Sequence, residues 1–271
     1  MSAKSRAFAE LHQSAHAFVM PNAWDAGSAR ILAGHGFLAL ATSSGACANV
    51  LGKLDGSVTR DEALAHARAI VEAVDIPVSA DLEKCFADAP AEAAETIRLA
   101  AGVGLAGGSI EDATGDKKNP RYELEAATAR VAAAALVASS LDRPFTLTAR
   151  TENFINGFPD LDDTIRRLQA FERAGADVLM APGLPDLESV RKVCNALTKP
   201  FSFMAGIPGR SFTVADLESA GVRRVSLATS LHRASMTALI EAAREIRDHG
   251  TFGYLDRNLP SSEVARYMRK G

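Results

Sequence analysis

Short apolar, β-branched runs ending in polar or glycine residues alternate along the chain with longer Ala/Leu/Arg-rich stretches of helical period. Strand character falls on 17–21, 37–43, 76–83, 107–111, 145–150, 177–181, 200–205 and 224–229. Helical pattern covers 24–35, 60–74, 91–102, 123–139, 161–174, 187–197, 214–219 and 235–249. Thr59 ahead of Arg60-Asp61-Glu62 and Asp186 ahead of Leu187 read as helix starts, while Gly102, Gly175 and Gly221 follow last turns. Connections this short allow parallel neighbours joined by crossover helices. FLALATSS, DVLMAPG and RRVSLATS are nearly continuous apolar runs, the mark of strands buried on both faces. Gly102-Val103-Gly104 and Gly107-Gly108 precede a strand, whereas a dinucleotide loop follows one, so they read as a helix C-terminus and a turn. The pattern predicts an α/β fold, a (β/α)₈ TIM barrel forming a single domain over 1–271. An amphipathic segment at 261–269, headed by Ser-Ser-Glu, lies outside the eight units as an extra C-terminal helix whose expected partner is another subunit.

Composition narrows the partners. With 30 basic against 33 acidic side chains, net charge −3 and no block of like charge, there is no electrostatic footprint for nucleic acid or an anionic membrane. Cys47, Cys85 and Cys194 lie far apart and form no CxxC, which argues against a disulfide framework or zinc site and fits a reducing compartment. The opening MSAKSRAFAELHQSAHAF lacks a signal-peptide core, and no run of about 18 apolar residues occurs, so a cytoplasmic protein is expected.

In such a barrel the active site forms at the C-terminal ends of the strands. Asn22, Trp24 and Asp25 follow the first strand; Ser43, Ser44, Gly45 and, further along the loop, Asp55 follow the second. Asp81 and Glu83 end the third, Glu111 and Asp112 the fourth, and Arg150, Thr151, Glu152 and Asn153 the fifth. The last three end in Pro182-Gly183, Gly206 and Thr229-Ser230, without an ionisable group. Asp81 and Glu83, two apart on a strand, are expected to leave it on one side, beside Glu111 of the next strand. Crowded carboxylates call for a cation, and oxygen-only ligation selects a hard one such as Mg²⁺. The competing reading makes these acids helix caps or partners of Lys84, Lys117 and Arg150. Arg150 is either a binder of a carboxylate or oxyanion or a structural partner of Glu152 or Glu111. Ser43-Ser44-Gly45-Ala46 offers hydroxyls and successive N–H groups on a small-residue turn, suited to an anionic group.

These residues resemble the phosphoenolpyruvate mutase/isocitrate lyase superfamily from about Met20 to Ile246. The resemblance rests on PNAWDAGSARILAGHGFLALATSSGA, VLGKLDG, PVSADLE, GGSIEDAT, LTARTENF and ADVLMAPGL in that order. It implies a (β/α)₈ enzyme that binds Mg²⁺ and makes or breaks C–C or C–P bonds of 2-oxo or 2-hydroxy acids next to an enolate. It also implies a homo-oligomer, dimer or tetramer, with a C-terminal helix exchanged between subunits. By the resemblance Asp81 is the direct Mg²⁺ ligand, Glu83 and Glu111 hold its waters, and Asp55 is a further catalytic contact to water or substrate. Ser44, Gly45 and Ala46 match the turn holding the substrate carboxylate, Trp24 and Asp25 match a motif packed beneath the site with Trp24 also a substrate-binding residue, and Arg150 matches the arginine on the developing enolate oxygen.

Departures bear on the specific reaction. Lyases of the family carry a Lys-x-Cys-Gly-His type loop after the fourth strand; here DATGDKKNPRYEL has neither Cys nor His, so that proton donor is missing. Asn119-Pro120-Arg121 does not reproduce the mutases' Pro-Lys-x-Asn-Ser stretch either. Ser202 stands where relatives often show Asn, altering the expected contact to the distal end of the substrate. Cys85 has no neighbouring His to activate it, and the three cysteines and six histidines read as packing or surface residues. The expected function is Mg²⁺-dependent C–C cleavage of a small 2-oxo or 2-hydroxy diacid, oxaloacetate decarboxylation first. Phosphonopyruvate-type C–P chemistry and a non-catalytic 2-oxo-acid binding protein are the alternatives.

Overall fold

The computed structural model describes residues 2–210 and 212–269. Eight strands alternate with helices: β1 Phe18–Met20, β2 Leu40–Ala41, β3 Val78–Ala80, β4 Gly107–Glu111, β5 Thr146–Arg150, β6 Val178–Met180, β7 Phe201–Met204 and β8 Val222–Ser226. The helices are α1 Ser2–Gln13, α2 Ala26–Gly34, α3 Ser44–Val50, α4 Arg60–Ala73, α5 Pro90–Gly102, α6 Leu124–Ser140, α7 Leu161–Arg173, α8 Leu187–Asn195, α9 Val214–Ser219, α10 Ser230–His249 and α11 Ser261–Met268. All strand pairs are parallel, in the order β1-β8-β7-β6-β5-β4-β3-β2. A parallel bridge between Asn22 and Ala41, with Ala23 N donating to Ala41 O at 2.8 Å, joins β1 to β2 and completes the ring. The fold is therefore a (β/α)₈ TIM barrel with an added C-terminal helix. Among the described residues no helix is long and apolar enough to cross a membrane.

Local signals explain most boundaries. Thr59 and Glu62 form a reciprocal capping box at α4, and Asp186 caps α8 through Ser189 N. Gly175 and Gly221 adopt φ +104° and +103°, reversing the chain after α7 and α9 as only glycine does cheaply. The main core lies between the strand ring and the outer helices, built from residues such as Leu40, Ile97, Ile110, Leu147, Phe171 and Phe201.

Four expectations need correction. Gly107-Gly108 is no turn but the start of β4: a Cβ on Gly107 would lie 2.5 Å from Thr146 O and 2.9 Å from Phe8. The Phe8 contact comes from α1, an element absent from the sequence-based assignment, which closes the barrel floor with Phe8 packed beside Phe18 and Ala106. The eighth strand begins at Val222, directly after Gly221, and Thr229-Ser230 open α10 instead of ending it. The Ser-Ser-Glu signal is not used, because Pro260 heads α11 without a side-chain cap. α11 packs on α2 of its own chain, where Tyr267 fills the space over Gly34 and Arg30 Nη1 donates to Met268 O at 2.7 Å.

Candidate active site

The site is organised around Asp81, the residue after β3. Its carboxylate accepts from Ser44 N at 3.2 Å, Glu83 N at 3.3 Å and Ser109 Oγ at 3.4 Å, while its own N–H donates to Thr42 Oγ1 at 3.1 Å. Residues from the ends of β2, β3 and β4 thus fix one carboxylate at the barrel mouth. Ser44, Gly45 and Ala46 are not an open turn but the first turn of α3, whose N–H groups lack intrahelical acceptors and favour an anion. Gly45 permits a close approach there, since a Cβ would lie 3.0 Å from Thr229 Cγ2 and 3.1 Å from Asp55 Oδ2, so that one of them would have to shift. The same contact shows where Asp55 sits, folded back from its loop onto the α3 start.

Glu83 does not share a strand face with Asp81, because β3 ends at Ala80 and Glu83 has φ +50°. Leu82 turns into the core between them, and its N–H donates to Ser109 Oγ at 3.3 Å. Cys85 and Phe86 also have φ of +58° and +56°, a conformation that is strained for side-chain-bearing residues. Arg130 of α6 over-determines this loop. Buried, it donates to Ala87 O at 2.7 Å, Asp88 O at 2.5 Å and Lys84 O, and its guanidinium lies 4.4 Å from the Tyr122 ring.

Glu111 ends β4, its N–H donating to Glu83 O at 3.1 Å, and pairs with Arg150 Nε at 3.5 Å. Arg150 also grips Glu152 through both Nε and Nη2, so the structural partnership is made with both acids. It still lines the axial cavity with Asp81. Burial opposes the Arg150 charge, but Glu152, Glu111 and Asp81 outweigh it and hold its pKa well above the ordinary value. Burial, then Asp81 and Asp55, push Glu83 up to about 7 against Arg150 and Lys84. Burial raises Glu111 well above the carboxylate range, with Arg150 opposing. The mouth therefore crowds together more carboxyl groups than the arginine can hold ionised.

Among the described residues no group of three or more His, Cys, Asp or Glu side chains is arranged to hold a metal ion by itself. Lys84 pairs with Asp88 at 2.6 Å, not with the site acids. Asp112 belongs to the framework: it accepts from Thr151 Oγ1 and Glu152 N, each at 2.8 Å, and from Arg167 at 3.2 Å, thereby fixing Glu152 behind Arg150. Trp24 is joined to the site through its carbonyl, which bonds His66 Nε2 at 2.8 Å beside Asp81 and Glu83. Asp25 caps α2 through Ser28 N at 2.6 Å, and the Trp24 ring meets His232 edge-on at 5.4 Å. Ser202 is not at a distal mouth position; it lies inside the barrel and accepts from Arg224 Nε at 2.8 Å. Burial pushes the thiol of Cys47 up to about 11 and those of Cys85 and Cys194 to about 12, which makes none a ready nucleophile.

Several site residues were not read from the sequence. Ser109 could have been, because it is two positions before Glu111 and shares its strand face. His66, taken as remote, lines a small cleft with Ser44, Cys47, Asp81 and Glu83 and bonds Trp24 O at 2.8 Å. Arg130 and Arg224 gave no local signal, because their partners are 42–46 and 22–212 positions away.

Fold and site together define a TIM barrel whose mouth concentrates oxygen donors around one fixed carboxylate and one charged arginine. Residues 8–247 match the family model for phosphoenolpyruvate phosphomutase, and the chain belongs to that family, within the phosphoenolpyruvate mutase/isocitrate lyase superfamily. A crystal structure from Burkholderia cenocepacia J2315, whose description leaves lyase and mutase open, superposes with a TM-score of 0.96 at 46% identity, covering 98% of this chain and 96% of that one. An uncharacterized protein of Mycobacterium tuberculosis is 31% identical over 95% of this chain and 94% of its own. The 2-methylisocitrate lyase of Escherichia coli is 29% identical over 78% of this chain and 73% of its own.

Proposed function

We propose that this chain is a Mg²⁺-dependent enzyme that cleaves a C–C bond of a small 2-oxo or 2-hydroxy diacid through an enolate-like intermediate. It acts as a single barrel domain, in a subgroup lacking both the lyase Cys loop and the mutase loop. The observation that carries the reading is Asp81, fixed by three donors in a field of surplus carboxylate and facing a charged Arg150. The donors are oxygens only, the kind a hard cation takes, and since the described residues hold no preformed cluster of three or more such groups, waters and substrate oxygens would have to complete its shell. Asp81 would hold Mg²⁺ directly, with Glu83, Glu111 and Asp55 acting through its hydration shell. When bound, Mg²⁺ supplies Lewis-acid polarisation of the substrate's 2-oxo group.

The Ser44 hydroxyl and the N–H groups of Gly45 and Ala46 hold the substrate carboxylate, the Ser44 N–H being engaged by Asp81. Arg150 donates to the oxygen on which enolate charge develops, and Glu152 and Glu111 keep its guanidinium in place, so little reorganisation is needed as charge forms. In oxaloacetate decarboxylation the C3–C4 bond breaks, CO₂ leaves, and the electron pair remains as the pyruvate enolate, which takes a proton at C3 from water. That reaction suits a chain whose 112–124 loop carries neither Cys nor His. Exposed Leu239, Ile240 and Ile246 on α10, followed by Phe252, Leu255 and Leu259, support a homo-oligomer.

The test is incubation with Mg²⁺ and, separately, oxaloacetate, methylmalate-type hydroxy diacids and phosphonopyruvate, reading pyruvate or other 2-oxo product. Metal-dependent release from a diacid is expected. Turnover of phosphonopyruvate alone would replace the reading with C–P chemistry, and binding without turnover would replace it with a 2-oxo-acid binding protein.

A further inference from the structure

One layer below the mouth, the barrel axis holds a second buried arginine. Arg224 of β8 is 3% exposed, at the level of Ser202 on β7 and Phe18 on β1. Its Nε donates to Ser202 Oγ at 2.8 Å and its Nη1 to Thr148 Oγ1 at 3.1 Å. The remaining Nη1 contact is His12 Nε2 at 3.3 Å. His12 Nδ1 bonds Phe8 O at 2.8 Å, so Nδ1 carries the proton and Nε2 offers its lone pair to the guanidinium. Burial, then Arg224, holds His12 down to about 3, which keeps the ring neutral. Among the described residues, Arg224 therefore contacts only neutral groups, and its Nη2 has no protein acceptor. Burial alone lowers its pKa, to about 9, so it remains charged at neutral pH.

A buried charge without a counter-charge is costly and is normally paired. The space beside Arg224 is a cavity of about 50 Å³ on the barrel axis, lined by Asn22, Thr42, Ser79, Ser109, Thr148 and Ser226. Since one water needs roughly 10–15 Å³ of such volume, it accommodates a small ion and a few waters. Asp81 and Arg150 line its upper end, and Arg150 is already neutralised by Glu152 and Glu111. The hydroxyls of Thr42, Ser79 and Thr148 can donate to an anion beside Arg224, while Ser109 Oγ donates to Asp81 Oδ1 at 3.4 Å and that carboxylate bounds the cavity at its mouth end.

We propose that the axial cavity binds a small inorganic anion of halide size on the Nη2 side of Arg224, as a structural counter-ion for the barrel interior. The site shares its cavity with Asp81 and Arg150 at the mouth end, but it rests on Arg224 and stands whether or not the enzymatic reading does. The test exchanges the wild-type protein into gluconate buffer and titrates chloride at constant ionic strength while following Tm. A bromide-soaked crystal then locates the ion by anomalous scattering. A saturable rise in Tm and a bromide peak within about 3.5 Å of the Arg224 guanidinium are expected. Arg224→Lys, which keeps the charge but loses the planar fork, should weaken the chloride midpoint about tenfold or more, a figure of ~1.4 kcal/mol in binding. Water alone in the cavity at saturating bromide, or a Tm indifferent to chloride, overturns the proposal.

Discussion

Arg150 and Arg224 occupy the same barrel interior yet meet opposite surroundings. At the mouth, Arg150 is held by Glu152 and Glu111, and Asp81, Glu83 and Asp55 remain in excess around it. On the floor, Arg224 meets two hydroxyls and a neutral imidazole. The axis therefore runs from surplus carboxyl groups at the strand ends to unpaired positive charge beneath them. Overall charge conceals this, since −3 over 271 residues describes neither pole. The difference teaches where the proposed cation would be received: the mouth holds acids in excess of the available arginine, while one layer down Arg224 meets hydroxyls and a neutral ring.

The largest effect should come from breaking the mouth's cation. Arg150→Ala removes a preorganised donor, commonly about 2.7–4 kcal/mol of transition-state stabilisation, so turnover should fall roughly 10²–10³-fold. Steady-state kinetics with substrate binding measured in parallel checks this; undiminished kcat in a variant that binds substrate would remove Arg150 from the chemistry. Next is the staple beneath Glu83. Arg130→Met leaves three carbonyls without their charged donor and should cost roughly 1.5–3 kcal/mol in stability by urea unfolding, with weakened Mg²⁺ binding. Unchanged stability and metal affinity would show that the left-handed loop holds itself. Gly45→Ala should be milder for the fold, costing about 1 kcal/mol or more, but should raise KM several-fold by pressing on Asp55 and Thr229. An unaltered KM would disconnect Asp55 from the substrate end of the mouth.

The smallest effect is the pH dependence of the metal-free protein. Glu83 and Glu111 titrate above their unfolded values, so the folded state binds more protons than the unfolded state from about pH 4.5 upward until each folded pKa is passed. Stability from these groups falls as pH rises. Buried His12, His66 and His232 act with the opposite sign, but only below their unfolded pKa of about 6.5. Between pH 6.5 and 8 with chelator present, Tm should therefore decline, and Mg²⁺ or Glu83→Gln should flatten the slope. A rising metal-free Tm in that window would mean the mouth acids are already compensated.

The eight strands were legible because both-face burial leaves continuous apolar runs, and Thr59 and Asp186 because caps are local chemistry. The acids at the ends of β3 and β4 were legible from order alone. α1 was not, since the residues it buries are Ser5, Phe8 and His12, of which only Phe8 is apolar, too little for a periodic signal. α3 was hidden because Ser-Gly-Ala reads as a turn until Asp81 and Asp55 pack against it. The pleat alternation does not carry from Asp81 to Glu83 because β3 ends at Ala80 and Glu83 turns to positive φ, and the loop that follows is held by Arg130, far along the chain, through Lys84, Ala87 and Asp88 carbonyls.

The central claim is that Asp81 anchors a divalent cation among surplus carboxylates. Calorimetric titration of Mg²⁺ into chelator-stripped wild-type protein and into Asp81→Ala tests it most directly. The account predicts one saturable site per chain in the wild type and none in the variant, with circular dichroism showing both folded. Equal Mg²⁺ affinity in the two proteins would contradict it.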